Sequence, residues 1–422
     1  MTKEFDVLGN EIDKEVGYAR GKILEDSYSE KAKQQHAVEK IKERISELGE
    51  NSIHIFTGNI RENQLKKSDL SLISEEWVGP SLFSEPLKKA ALKHFGVENQ
   101  DYEVATFNRT SAALVSSILA FSSKDSIVLS YAAGQKAHPS VSRGAKLASS
   151  KLIELGDVKD LDSTEYPENT LLVITGVTSE LLCLKEEEII KAIRIAKENN
   201  YIVVVDDAYG ARIRTILLKQ EHALKLGADI VITNNDKAAL HGPRAGIMAG
   251  KSEYVIKASA KASEYGLEAR APISLAVLRS LESFNPKELV TEKNIGELLY
   301  EGLSNVLGDH RVRHTLLGPE LSPDNIAEYI IEKTGKSNIE IVPAEITAAI
   351  GFVMLEKYGI VTTNTCGMPG ARVSIRLKTN EETVNNFGGI DKITKAVIDS
   401  IDTVASNVTD VKRIKEIILG EN

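Results

Sequence analysis

The stretch YIVVVDDAYGAR (residues 201–212) decides the fold. Its first half is almost wholly apolar and β-branched. That composition predicts a short strand covered on both faces, the habit of parallel sheets. The strand ends on two carboxylates, Asp206 and Asp207. A carboxylate in that position is costly unless a cation meets it. Working outward, short apolar runs alternate with helical patterns from about 105 to 250. IVLSY (127–131), LLVIT (171–175), ADIVIT (228–233) and AGIMAG (245–250) read as strands. HPSVSRGAKLASS (138–150), EEEIIKAIRIAKENN (186–200) and HALKLG read as helices, the first opening on Pro139. Strand–helix–strand units in series imply right-handed crossovers. The expected fold class is therefore α/β: a three-layer αβα large domain with a mostly parallel sheet, plus a smaller C-terminal α+β domain. The expected divisions are an N-terminal helical arm (1–50), the large domain (51–285) and the small domain (286–422).

Ligands of open α/β sheets bind beyond the carboxyl ends of the strands, and four stretches fall there. Asp206 ends the quoted strand, and Tyr209 follows it. The carboxylate would suit a protonated ring nitrogen, a helix cap, or a metal shared with Asp207. TNNDKAALHGPRAG (233–246) carries Lys237 just past a strand, either a solvated turn lysine or an amine that forms an imine with an aldehyde. NRTSAALVSSILAF sets Thr110, Ser111 and Ala112 at the start of an apolar helix, where free N–H groups bind anions. GMPGARVSIRL places Arg372 and Arg376 on one side of a strand, suited to a carboxylate or to a plain surface.

Together and in this order, these stretches resemble the aspartate-aminotransferase-like superfamily (fold type I) of pyridoxal 5′-phosphate enzymes. The carried pattern is Asp-x-Ala-Tyr at 206–209, a lysine some thirty residues on, and a C-terminal arginine before a short strand. More narrowly, DKAALHGPRAG resembles the lysine segment of bacterial selenocysteine synthase and of a group of archaeal pyridoxal-phosphate proteins similar to it. The resemblance implies that 51–285 binds the cofactor, with Lys237 as the Schiff-base lysine and proton shuttle. It implies Asp206 on the pyridinium nitrogen, Tyr209 on the 3′-oxygen and Ala208 against the ring. His138 would stack on the other ring face, unless it is a capping histidine. Thr110, Ser111, Ala112, Asn234 and Arg244 would surround the phosphate, and Ser179 would lie at the cofactor edge. Arg372, Arg376, Asn59 and Arg61 are the substrate-binding candidates.

The implied reaction is β-elimination or β-replacement on a small amino acid or a derivative of one. An aminotransferase, a cysteine desulfurase using Cys366, and a regulatory protein that binds pyridoxal phosphate without turnover stay open. The resemblance also implies at least a homodimer. The chain has 422 residues and a formal net charge of −9. That charge disfavours tRNA as a partner, since nucleic-acid affinity comes largely from phosphate neutralisation. No apolar run is long enough to cross a membrane. Two cysteines form neither a disulfide framework nor a zinc cage, so no metal is expected. The N-terminus lacks an apolar signal core, and a cytoplasmic location is expected.

Overall fold

A computed structural model describes residues 4–14, 16–61, 65–69, 71–98, 101–134, 137–162, 165–168, 170–370 and 372–420. The chain divides into two compact units, residues 59–290 and residues 1–58 with 291–422.

The first unit is built on a seven-stranded sheet. Its strands are β1 (Tyr102–Phe107), β2 (Ile127–Ala132), β3 (Lys151–Leu155), β4 (Leu171–Thr175), β5 (Ile202–Asp206), β6 (Ile230–Asn234) and β7 (Gly246–Lys251). Their spatial order is β1-β7-β6-β5-β4-β2-β3. β7 runs antiparallel to both of its neighbours, and the remaining pairings are parallel. The alternation of side chains along each strand explains the three layers. Leu172, Ile174, Val203, Val205 and Val231 face one core with the helices Gly79–His94, Glu186–Glu198 and Ala271–Glu282. Leu171, Val173, Val204, Ile230 and Ile232 face the other, with Thr110–Phe121, Pro139–Leu147 and Ser252–Glu264. Every residue of β4 and β6 is buried. The stretch HALKLG forms turns instead of a helix. Six residues give too few hydrogen bonds to offset the cost of nucleating one.

The second unit is α+β. A three-stranded antiparallel sheet (Val312–Thr315, Gly318–Leu321, Ile375–Arg376) accompanies a set of helices. The helix Pro343–Tyr358 is buried over most of its length at the centre of this core. The N-terminal segment differs from the expected separate helical arm. Among its described residues the first part forms the short strands Ile12–Asp13 and Tyr18–Ala19, and the α-helix Ser27–Leu48, capped by Asp26, follows. That helix belongs to the second unit: His36 stacks on Phe352 at 5.1 Å, and Lys33 donates to the Asn364 carbonyl at 2.9 Å. The division between units falls inside the helix Pro286–Leu307, a few residues beyond the expected 285.

Candidate active site

Asp206 ends β5 between Thr175 of β4 and Ile232 of β6. It is buried, and its Oδ1 accepts the Ala208 N–H at 3.2 Å. Burial pushes its carboxyl up to about 6; the Ala208 hydrogen bond and Lys237 pull the other way. Asp206 makes no ion pair with any described residue. Asp207 is committed elsewhere. Its two oxygens receive Arg214 Nε at 3.0 Å and Nη2 at 2.5 Å, with both groups fully buried. A Cβ at Gly176 or Gly210 would stand 2.4 or 1.7 Å from Asp207 Oδ1, so only glycine leaves room for this pair. No group of side chains suited to a metal ion occurs among the described residues.

Lys237 lies on the loop that joins β6 to β7. The loop is tied by Asn235 N–H to the Ala245 carbonyl (3.2 Å) and by Gly242 N–H to the Asn235 carbonyl (2.8 Å). Immediately after the lysine, Ala238 and Ala239 take φ of 52° and 61°. Two successive non-glycine residues in the left-handed region cost about 1–3 kcal/mol each, strain of the kind that concentrates at functional sites. Lys237 Nζ stands 4.7 Å from the centroid of the Tyr209 ring. The loop after β5 and the loop after β6 therefore bring together Asp206, Tyr209 and Lys237, as expected from their positions beyond parallel strands.

Asn234 does something other than expected. Its Nδ2 donates to the Ala208 carbonyl at 2.5 Å, and its Oδ1 accepts Arg212 Nη2 at 2.7 Å. Arg212, fully buried, also donates to the Ala208 carbonyl (3.0 Å) and Thr233 Oγ1 (3.1 Å), and meets His94 Nε2 at 3.1 Å. Burial, with Arg212 and His222 adding, holds His94 well below the usual imidazole range. These side chains lock Ala208 to β6. They leave Asn234 as a brace beneath the site, with its amide used up inside the protein.

The helix Thr110–Phe121 starts after Arg109 with no side chain capping it, and Thr110 and Ser111 are partly exposed there. The Arg109 carbonyl accepts the Ala112 and Ala113 N–H groups at 3.0 and 3.2 Å. A Cβ at Gly246 would meet the Arg109 carbonyl and Thr110 N within 2.9 Å, so β7 begins hard against this helix start. His138 caps the helix Pro139–Leu147, its Nδ1 accepting the Ser140 N–H at 3.1 Å, and sits beyond the carboxyl end of β2. Ser179 is partly exposed in the turn after β4, where Thr178 Oγ1 accepts the N–H groups of Glu180 (3.3 Å) and Leu182 (3.2 Å).

Arg61 Nε donates to Asp236 Oδ2 at 2.7 Å, which places Arg61 beside the residue that precedes the lysine. Asn59 is partly exposed two residues earlier. Arg244 is exposed. Arg109, Arg212 and Asp236, which touch or adjoin these residues, had no role in the sequence reading; Arg109 had a visible signal, its place just before the helix start. Arg372 and Arg376 belong to the other unit. Arg376 is buried and bound to Glu320 (3.1 Å) and Ser374 Oγ (3.1 Å), which corrects its assignment as a substrate ligand: its guanidinium is spent within its own unit. Arg372 is exposed.

The sheet order and the single antiparallel strand give an α/β fold of the fold type I class. Solved structures agree on the fold. An L-threonine transaldolase from Pseudomonas fluorescens superposes with a TM-score of 0.58 over 92% of each chain at 13% identity. A pyridoxamine-pyruvate aminotransferase from Mesorhizobium loti gives 0.56 at 13% identity, over 87% of this chain and 96% of that one. A serine palmitoyltransferase from Sphingomonas wittichii gives 0.53 at 14% identity, over 88% of this chain and 84% of that one.

Sequence relatives are narrower. A UPF0425 pyridoxal phosphate-dependent protein of Methanothermobacter thermautotrophicus is 34% identical over 403 residues, 94% of this chain and all of the relative. One of Methanococcus maripaludis is 35% identical over 341 residues, 81% of this chain and 90% of the relative. The chain belongs to the UPF0425 family of pyridoxal phosphate-dependent proteins. No family model matches it. Among the described residues, no helix is long and apolar enough to cross a membrane.

Proposed function

We propose that the protein is a pyridoxal 5′-phosphate-dependent enzyme acting on a small amino acid or a derivative of one. The buried Asp206 carboxylate carries this reading. It sits at the carboxyl edge of the sheet without an ion-pair partner, where a protonated pyridine nitrogen would supply one. When bound, the cofactor supplies an electron sink for a carbanion at the substrate's Cα. Asp206 would hold the proton on the ring nitrogen. Ala208, fixed by Arg212 and Asn234, would pack on one ring face and His138 on the other. Tyr209 would reach the 3′-oxygen. The helix start at Thr110, Ser111 and Ala112, with Arg244 beside it, would hold the phosphate. Lys237 would anchor the cofactor and move a proton at Cα. Of the two C-terminal arginines, Arg372 is the exposed one, and we assign it the substrate carboxylate.

The finer reading is elimination or replacement at Cβ. It is supported by the likeness of DKAALHGPRAG to the selenocysteine synthase segment, and a small substrate by the acidic charge of the chain. Desulfuration is less well supported: burial pushes the Cys366 thiol up to about 11, the reverse of an activated nucleophile. We further read the protein as a homodimer, the assembly that the resemblance implies. The test is to add serine, cysteine and other amino acids to the purified, cofactor-loaded protein. Pyruvate and ammonia support elimination. A visible band lost with the amino acid and restored only by an oxo acid replaces elimination with amino transfer.

A further inference from the structure

The ends of β1, β6 and β7 gather four guanidinium groups around one carboxylate. Gly246 pairs with Phe107 on one side and Asn234 on the other. Gly246 abuts the Arg109 carbonyl, and the Asn235 N–H donates to the Ala245 carbonyl at 3.2 Å, so Arg109, Asp236 and Arg244 stand within two residues of these contacts. Asp236 in turn binds Arg61 at 2.7 Å. Arg143 lies on the helix Pro139–Leu147, which packs on Thr110–Phe121, and its charge acts on Arg109. The charges act on one another. Arg109 is held below the usual guanidinium value, first by burial and then by Arg61 and Arg143 against the pull of Asp236. Arg244 is lowered by burial, by Arg109 and by Arg61. Arg61, Arg143 and Arg244 are exposed, on a chain whose net charge is −9.

Like charges set side by side at exposed positions weaken the fold, so such a cluster signals an anion to be bound. Among the described residues the cluster holds four guanidinium groups and one carboxylate. A phosphate brings about −1.5 to −2, and at the helix start it would face Arg109 and Arg244. Arg61, beside the lysine, and Arg143 lie outside that need.

We propose that Arg61 and Arg143, both near Arg109, recognise an anionic group on the side chain of the substrate, so that the substrate is an amino acid bearing a phosphate or a second carboxylate. This rests on the cofactor reading above and narrows its substrate class. Arg61, held in place by Asp236 before any ligand arrives, costs little ordering when the anion binds.

The test is calorimetric titration of the cofactor-loaded protein at fixed salt with O-phosphoserine, aspartate, serine and alanine. One or both of the anionic amino acids binds at least about tenfold more tightly than the neutral ones. Whether O-phosphoserine or aspartate leads distinguishes phosphate from carboxylate. Arg61→Gln and Arg143→Gln each shrink that ratio to within about threefold and leave the visible cofactor band intact. Equal binding of serine and the anionic compounds overturns the proposal, as does a preference that survives both substitutions. A salt-sensitive gel shift with tRNA that both substitutions abolish, without amino-acid preference, replaces it with nucleic-acid binding. A protein that takes up no cofactor and shows no visible band defeats the cofactor reading instead, and the two failures are told apart before the titration begins.

Discussion

Lys237 Nζ stands 4.7 Å from the centroid of the Tyr209 ring, although 28 positions separate the two residues in the chain. The contact holds the amine beyond the carboxyl ends of β5 and β6. In the reading proposed above, this amine carries the cofactor. Lys237→Ala should give a folded, colourless protein after reconstitution, with circular dichroism unchanged. A visible band equal to that of the wild type would remove Lys237 from the role.

Asp206 gives a pH signature in protein stripped of cofactor. Its carboxyl is pushed up to about 6 in the fold, against about 3.9 unfolded. A raised carboxyl value means that the folded state prefers the protonated form. Its contribution to stability is complete below the unfolded value and falls as pH rises through about 6. Cofactor-free wild type should lose up to about 3 kcal/mol relative to Asp206→Asn between pH 4 and pH 7. Denaturant midpoints of the two proteins at both pH values provide the check. Parallel pH profiles would show that the burial of Asp206 has no such effect.

Arg212 is predicted to be a positioning residue. It donates to the Ala208 carbonyl, Asn234 and Thr233 from a fully buried place. Arg212→Met leaves the Asn234 Oδ1 unmet at about 1–3 kcal/mol, while the Ala208 carbonyl keeps the Asn234 amide and Thr233 its bond to the Asp207 carbonyl. The visible band should shift or broaden as Ala208 loosens, while Arg212→Lys restores part of the stability. A spectrum that does not change when stability falls would assign Arg212 to the scaffold alone.

The two left-handed alanines after the lysine store strain. Ala239→Gly should raise the denaturation free energy by about 1–2 kcal/mol, because glycine adopts φ of 61° without penalty. The same change frees the lysine loop and should lower turnover. A gain in stability with no loss of turnover would show that the strain does not serve positioning.

Cys366 supplies a negative prediction. Its thiol is largely buried and raised to about 11. Cys366→Ala should leave any release of ammonia or pyruvate within about twofold of wild type, since the inactive thiol form dominates near neutral pH. A variant that abolishes sulfide release from cysteine would reinstate desulfuration.

The strands, their order of appearance and the stretches that end at the sheet's carboxyl edge were legible because they are local patterns. An apolar five-residue run predicts a covered strand wherever it occurs, and β4, β5 and β6 fall on LLVIT, YIVVVD and ADIVIT to within two residues. The places of Asp206 and Lys237 just past strands were legible for the same reason, whereas their roles are what the family resemblance implies. HALKLG and the first 26 residues misled, because helical spacing in a short or uncovered segment does not decide its conformation.

What the sequence by itself determined, then, is a mostly parallel α/β sheet with a carboxylate and a lysine just past the carboxyl ends of its strands. What only the tertiary structure decided is which partners the polar groups take. Arg376 is given to Glu320, 56 positions away, and Asn234 to Arg212 and Ala208. Arg61 reaches Asp236 across 175 positions, and the helix Ser27–Leu48 joins the unit of the C-terminal residues. The physical reason is one of range. Hydrophobic periodicity is written residue by residue, whereas an ion pair or a brace depends on strand registers and helix contacts that bring distant residues together only in the folded chain.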